Sequence, residues 1–155
     1  MSLLTLLGVG GPDVAVADVA YAIPLGFVTL ASPADGADYF AGVPNDFRLN
    51  SNSGTWAAGH FEIPVAGTIT TVSYSWKNPS TAASGESVIT AVRLNDTTDI
   101  ASTDEARFDV AFETLVVSGL SQAVAVGDKI ALKAVMPTFG TNPGSSTISA
   151  VVYIS

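Results

Sequence analysis

The chain has 155 residues, of which 48% are hydrophobic and only 13% are charged, and its formal net charge is −8. This length fits one domain with a substantial core. An acidic chain with few lysines repels phosphate, which argues against nucleic acids and anionic membranes as partners. The absence of cysteine excludes disulfides and thiolate chemistry. Because ordinary domains have about 25% charged residues, we expect either neutral surface that contacts another molecule or a surface rich in Ser, Thr and Asn.

The first 22 residues, MSLLTLLGVGGPDVAVADVAYA, predict an extended N-terminal arm. They end in a motif that looks like a signal-peptidase site, but they lack the basic region of a signal peptide. The apolar run breaks at GGPD after about ten residues, which is too short to span a bilayer. We therefore divide the chain into an arm at 1–22 and a β-sandwich domain at 23–155. A neighbouring molecule or the domain itself must hold such an arm if it is ordered.

From residue 23 onward the sequence predicts strands separated by Gly, Pro, Asn, Asp and Ser clusters. The first strand covers 23–30, with Pro24 at its start. A long linking stretch at 31–54 follows, for which we expect anchoring by Phe40, Val43, Phe47 and Leu49. The next strand covers 56–64, with Phe61 and Ile63 on one face.

The middle of the chain predicts four further strands. Residues 68–77 place Val72, Tyr74 and Trp76 on one face, and Ile69 is out of phase with them, which predicts a bulge near residues 70–71. Residues 78–85 read as a turn-rich connection. A strand at 87–95 points Val88, Val92 and Leu94 inward. Short strands at 98–102 and 108–117 follow, and the second is predicted to end in a turn at residues 118–119.

The last two strands alternate most clearly. In the strand at 129–136, Ile130, Leu132, Ala134 and Met136 face one way, and Lys129, Ala131, Lys133 and Val135 face the other. A turn at 142–144 leads to a final strand at 147–154. About eight strands without helical crossovers predict an all-β fold of antiparallel sheets packed as a sandwich. Long cross-connections favour an eight-stranded jelly roll over an up-and-down barrel. An immunoglobulin-like sandwich is the alternative.

The sequence offers little for catalysis or metal binding. His60 is the only histidine, and Glu62 lies two residues further along the same strand face. Zinc needs several His or Cys ligands, which the chain lacks. The aspartates within 35–38 and 95–99 are typical of turns. Asp104, Glu105 and Asp109 are candidates for glycoside hydrolysis only by their proximity in sequence. We therefore expect no enzyme activity and no cofactor.

Aromatic side chains leave a binding function open. Trp56, Tyr74 and Trp76 lie near polar residues, as aromatic residues of sugar sites often do. Such residues fill cores more often than they line grooves.

Two stretches together resemble a known group of proteins. FEIPVAGTITTVSYSW at 61–76 and AVAVGDKIALKAVMP at 123–137 are similar to the jelly-roll domains of virion proteins from tailed bacteriophages. That group includes capsid decoration (cement) proteins and the head domains of tail fibres. The resemblance covers residues 56–155 and implies a structural protein without catalysis.

The resemblance also implies partners and contact residues. A decoration protein would lie on the outer surface of the virion capsid, bridge copies of the major capsid protein and form a homotrimer. The arm would contact the capsid through Leu3, Leu4, Leu6, Leu7, Val14 and Val16. The second face of the strand at 129–136, formed by Lys129, Ala131, Lys133 and Val135, would be an intersubunit face or an ordinary solvent face. A receptor-binding or carbohydrate-binding head of a fibre is the alternative.

Overall fold

A computed structural model describes residues 21–31, 33–42, 59–77, 86–107, 112–141 and 145–155. These residues form nine strands, all of whose pairings are antiparallel. The strands are β1 (Tyr21–Ala31), β2 (Asp38–Ala41), β3 (Phe61–Glu62), β4 (Gly67–Lys77), β5 (Ser87–Leu94), β6 (Thr98–Arg107), β7 (Glu113–Val124), β8 (Lys129–Val135) and β9 (Ser145–Ile154). Within the described residues, no helix could span a membrane by its length and apolar character.

The strands form two packed sheets, and this confirms the predicted β-sandwich. Sheet A has the order β1-β9-β4-β7, and sheet B has the order β2-β8-β5-β6, with β3 also paired to β8. The chain crosses from one sheet to the other at most connections, which is the winding of a jelly roll. The prediction counted eight strands. Among the described residues β2 and β3 pair with successive parts of β8 and share one edge position.

The core lies between the inner faces of the two sheets, where every second side chain is apolar. The inward set predicted for β5 is buried, and so are Ile130, Leu132, Ala134 and Met136, which face one way in the strand predicted at 129–136. In β4, Val72, Tyr74 and Trp76 are buried together with Ile69, as the predicted bulge requires, because the register shifts between Ile69 and Thr71. Burial of these side chains stabilises the sandwich by about 25 cal/mol per Å² of apolar surface.

The turn predicted at residues 118–119 is wrong, because β7 continues through it to Val124. Between the Ile69–Gln122 pair and the Thr71–Ser118 pair, β4 contributes one residue and β7 contributes three. Gly119 has a φ of 74°, a conformation that glycine adopts without steric penalty. The glycine therefore makes a bulge within a strand, whereas a Ser-Gly pair in isolation also indicates a reversal.

Three other strand predictions differ from the structure. The linking stretch contains β2, whose Tyr39 and Ala41 are buried while Phe40 is half-buried. β6 extends to Arg107, beyond the predicted end at 102. Within 59–64, only Phe61–Glu62 is a strand. The expected anchors Val43, Phe47 and Leu49, and the predicted turns at 78–85 and 142–144, fall outside the described residues.

The turn before β8 fastens two neighbouring segments together. Ile63 N–H donates to the Asp128 carbonyl over 2.7 Å, and Gly127 N–H donates to the Ile63 carbonyl over 2.9 Å. The Asp128 carboxylate accepts from Ala125 N–H at 2.8 Å and from Asn95 Nδ2 at 2.9 Å. The bond from the Ala125 backbone, which has the larger effect, and the bond from Asn95 together hold the pKa of Asp128 below its ordinary value.

A buried tyrosine joins the two sheets through the core. The Tyr74 hydroxyl donates to the Ala101 carbonyl at 3.0 Å, and Ala101 has a φ of 53° at an irregularity of β6. Burial, with a further contribution from the negative charge of Asp99, raises the pKa of Tyr74 far above its ordinary value. The hydroxyl is therefore protonated at any ordinary pH and acts as a donor in the core.

We predict that Tyr74→Phe lowers the free energy of unfolding by about 1–2 kcal/mol, because it leaves the Ala101 carbonyl without this donor. Urea denaturation measures the change. The matched control is Tyr153→Phe at a side chain that is 40% exposed, where the change should stay within about 0.5 kcal/mol. Equal effects of the two substitutions would contradict a role for the buried bond.

We predict that Asp128→Asn lowers the melting temperature at pH 7. Because the folded pKa of Asp128 lies below the unfolded one, its carboxylate stabilises the fold above the unfolded pKa, and this stabilisation is lost as the pH falls through the folded value. The difference in melting temperature between the variant and the wild type should therefore become smaller as the pH falls below the ordinary pKa of aspartate. Melting curves over an acid series measure it, with Asp96→Asn in the adjacent turn as control. A gap that does not depend on pH would show that the carboxylate charge is not what holds this turn.

Candidate interaction surface

Charged residues are divided unequally between the two sheets. The strands of sheet A contain two, Lys77 and Glu113, and each lies at the end of its strand. The shorter strands of sheet B contain nine. The shortage of charge in the composition is therefore concentrated in one sheet, and the outward side of that sheet is the candidate site.

Three rows of residues, in register across the strands on the outward side of sheet A, form what we call the neutral face. The further row that contains Thr147 and Lys77 is not part of it. The first row is Pro24, Val151, Ser73 and Val116. The second row is Ala22, Tyr153, Thr71 and Ser118, and the third is Ser149, Ser75 and Thr114. Their side chains are small or β-branched, apart from that of Tyr153. No ionised group lies within these rows.

Among the described residues, one shallow depression lies on the neutral face and another lies at its edge, next to Lys77. One, of about 440 Å³, is lined by Thr70, Thr71, Ser73, Val116 and Tyr153. The other, of about 320 Å³, is lined by Ser75, Trp76, Lys77, Phe112, Thr147 and Ser149. Val116 is 56% exposed and Phe112 is 65% exposed, so apolar side chains stand in solvent beside both depressions.

Removing an uncharged surface of this kind from water costs little free energy. Covering an ionised group costs several kcal/mol unless a partner compensates it, whereas hydroxyl and aliphatic groups carry smaller penalties or none. A row of serine and threonine side chains also presents a flat surface. The neutral face can therefore be covered by another uncharged surface without charge pairing.

The signal for this face was present in the sequence. The outward positions of β4 read Thr71, Ser73 and Ser75, and those of β9 read Thr147, Ser149, Val151 and Tyr153. Each strand alone looks like an ordinary polar side. Only the pairing of β9 with β4 and of β4 with β7 places these positions side by side.

The face predicted as intersubunit lies on the outward side of sheet B. Lys133 Nζ lies 2.9 Å from Asp99 Oδ2, and Lys129 Nζ lies 3.9 Å from Glu62 Oε1, all within one chain. Ala131 is fully buried, and Val135 is half-buried. Both lysines thus have an acidic neighbour of the same chain, and the assignment of this face to a subunit contact stays a prediction.

Asp99 holds two cations on sheet B. Arg93 Nε lies 2.6 Å from Asp99 Oδ1, and the same guanidinium lies over the Phe40 ring at 5.9 Å from its centroid. The Arg93 and Lys133 side chains are only 16% and 13% exposed. Arg93 is paired with Ala131 and Lys133 with Ala91 across β5 and β8, so the aliphatic parts of these long side chains lie beside two buried alanines.

The remaining predicted contact residues divide between the core and the undescribed part of the chain. Tyr74 and Trp76 are core residues with stacked rings whose centroids are 5.9 Å apart. Tyr74 is fully buried, whereas Trp76, which is 6% exposed, also lines the depression of about 320 Å³ beside Phe112. Trp56 and the six arm residues Leu3, Leu4, Leu6, Leu7, Val14 and Val16 lie outside the described residues. Tyr21 and Ala22, assigned to the arm, begin β1.

Polar residues considered for chemistry have structural partners. Asp35 Oδ1 accepts from Phe139 N–H at 3.2 Å, and Asn95 and Asp96 have φ values of 48° and 60° in the β5–β6 turn. Positive φ is the backbone reason for Asn and Asp in such turns. In the part of the chain that the structure describes, no group of three His, Cys, Asp or Glu side chains is placed to hold a metal. Asp109 lies outside it.

Comparison with known proteins finds no matching family model and no matching curated sequence. Solved structures with a similar shape include the crystal structure of FlhE, at 13% identity and a TM-score of 0.47, over 87% of this chain and 95% of that one. The structure of infectious bursal disease virus, Gx strain, gives 12% identity and a TM-score of 0.42, over 87% of this chain and 31% of that one.

A third similar structure is an isomalto-dextranase of Arthrobacter globiformis T6 complexed with panose. It gives 14% identity and a TM-score of 0.34, over 83% of this chain and 23% of that one. These neighbours share an all-β architecture with the chain. At such scores they carry no argument about activity or partners.

We predict that Asp99→Ala lowers the free energy of unfolding by about 1–2 kcal/mol, because two largely covered cations lose their carboxylate while solvent screens part of the loss. Chemical denaturation measures the change. Glu62→Ala is the matched control, since its 3.9 Å pair with Lys129 is exposed and should contribute within about 0.5 kcal/mol. An Asp99→Ala variant as stable as the Glu62→Ala variant would contradict this account.

Proposed function

We propose that this protein is a structural, non-catalytic component of a virion that lies on the outer surface of a capsid and stabilises it by bridging subunits of the major capsid protein. The observation that carries the proposal is the separation of charge between the sheets. An acidic chain with one extensive uncharged face has a surface suited to burial against protein. The resemblance of residues 56–155 to virion jelly rolls supplies the kind of partner.

The neutral face would make the principal contact with the capsid. Burial of its valine, proline and tyrosine side chains stabilises a complex by about 25 cal/mol per Å² of apolar surface before the cost of association. Anything that binds only the assembled shell stabilises that shell by mass action. Many copies on one capsid then add many small contributions.

The arm and self-association belong to the same proposal. Leu3, Leu4, Leu6 and Leu7 would add apolar contacts next to the sandwich, since β1, which follows the arm, is a strand of sheet A. The homotrimer implied by the resemblance concerns how copies meet on the capsid. The number of copies at each site of a decorated capsid measures whether they meet as a trimer there.

A carbohydrate-binding head is the second candidate. It is favoured by the depression in which Phe112, 65% exposed, lies with the hydroxyl-bearing residues Ser75, Thr147 and Ser149. An exposed aromatic ring beside hydroxyl groups can stack on a sugar and bond to it. Selective signals on a glycan array that disappear in Phe112→Ala would support this candidate over the capsid role.

We predict that Ser73→Asp, in the middle of the neutral face, weakens binding to purified capsids at least tenfold, because a contact there would bury an unpaired charge. Co-sedimentation with capsids measures binding, and thermal melting confirms that the variant is folded. Ser102→Asp makes the same change at an exposed position of sheet B and should bind as wild type does. Wild-type affinity in Ser73→Asp, or equal losses in both variants, would remove the neutral face from the proposal.

A further inference from the structure

β7 forms one edge of sheet A and differs from the other edges. In the described part of the chain it pairs with β4 alone, so one side of its backbone presents N–H and C=O groups to its surroundings. Its twelve residues, ETLVVSGLSQAV, contain no proline and a single charged residue, Glu113, at the first position. Such an edge is a template for another strand.

The other edges carry features that discourage strand pairing. β1 has Pro24 and a register shift between Leu25 and Val28. β6 contains Asp99, Asp104 and Glu105, and β2 and β3 have four and two residues. Proline, irregularity, charge and shortness are the means by which natural sheets block their edges.

β7 has one such feature, the bulge at Gly119, and it leaves a regular segment beside it. The segment from Glu113 to Ser118 pairs with β4 without interruption. Six residues are a typical strand length. Val116 in this segment is 56% exposed, and Phe112 immediately before it is 65% exposed, so apolar side chains accompany the exposed backbone.

We propose that the 113–118 segment of β7 pairs antiparallel with the same segment of a second copy across a twofold axis, which joins two copies of sheet A into one continuous sheet. The segment is self-complementary, which identifies the occupant as a second copy. A twofold axis near Val116 sets Val116 against its own copy and Thr114 against Ser118, so no acids face each other although each chain has a net charge of −8. The antiparallel arrangement also places the two Glu113 residues at opposite ends of the paired strands.

The twofold axis has a consequence for symmetry. A residue near the axis meets its own copy, since a twofold contact uses the same surface on both partners. Assemblies built on this contact have an even number of copies, unlike the homotrimer that the resemblance implies. The pairing depends on the edge of sheet A alone and holds whether or not the protein binds a capsid.

The experiment measures solution mass by light scattering across a dilution series of the full chain. Wild type should give the mass of two 15.8 kDa chains at high concentration and dissociate on dilution. Val116→Asp and Val116→Lys each place like charges near the axis, so each alone should be monomeric. An equimolar mixture of the two should recover the dimer through opposite charges. Val65→Asp, at an equally exposed valine outside the 113–118 segment, should leave the dimer intact.

A second measurement does not depend on whether the charged variants at position 116 fold. Because the chain has no cysteine, Val116→Cys provides a single site for a spin label. The proposal expects a short label-to-label distance that disappears when labelled protein is diluted with unlabelled wild type. A monomeric wild type at every concentration, a trimeric mass, a Val116→Asp variant that still dimerises or a failure of the charge mixture to associate would each overturn it.

Discussion

The alternation of side chains along each strand is the constraint on which the whole molecule depends. A two-sheet sandwich requires apolar residues at every second position, and it leaves the intervening positions free to take any character that suits their surroundings. In this protein those intervening positions differ between the sheets. Sheet B uses them for ion pairs, and sheet A uses Ser, Thr, Val and Tyr. The interior is thus common to any β-sandwich, and the outward positions carry what is particular to this one.

The outward side of sheet B is stabilised from within the chain. Asp99 lies between Arg93 and Lys133, and the aliphatic part of Arg93 lies beside the buried Ala131. These charges have their partners already and leave little need for a neighbour. The neutral face has no such internal network, and its exposed side chains include Val116 and Tyr153. On the proposed function, a protein partner would therefore contact sheet A, and the edge of β7 would pair with a copy of the same chain.

Sequence reasoning located the strands that alternate without interruption, namely β4, β5, β8 and β9, and it located the bulge beside Ile69. It missed β2 because four residues that include Asp38 give too short a pattern within a turn-rich stretch. It placed a turn at Gly119 because the same residue serves a reversal or a bulge, and only pairing with β4 decides between them. The composition predicted a neutral surface, but the position of that surface depends on which strands are neighbours. The pairing of Lys133 with Asp99 could not be predicted for the same reason. The two residues lie on different strands of sheet B and meet only when those strands take their places in the sheet.

The central claim is that the neutral face is covered when the protein is in place on a capsid. Hydroxyl-radical footprinting of the free and capsid-bound protein measures this most directly. Tyr153 on the neutral face and Ile89 on the outward side of sheet B are 40% and 43% exposed, so they start from similar accessibility. The account predicts that labelling of Tyr153 falls on binding while labelling of Ile89 persists. Unchanged labelling of Tyr153 in the bound state would contradict it.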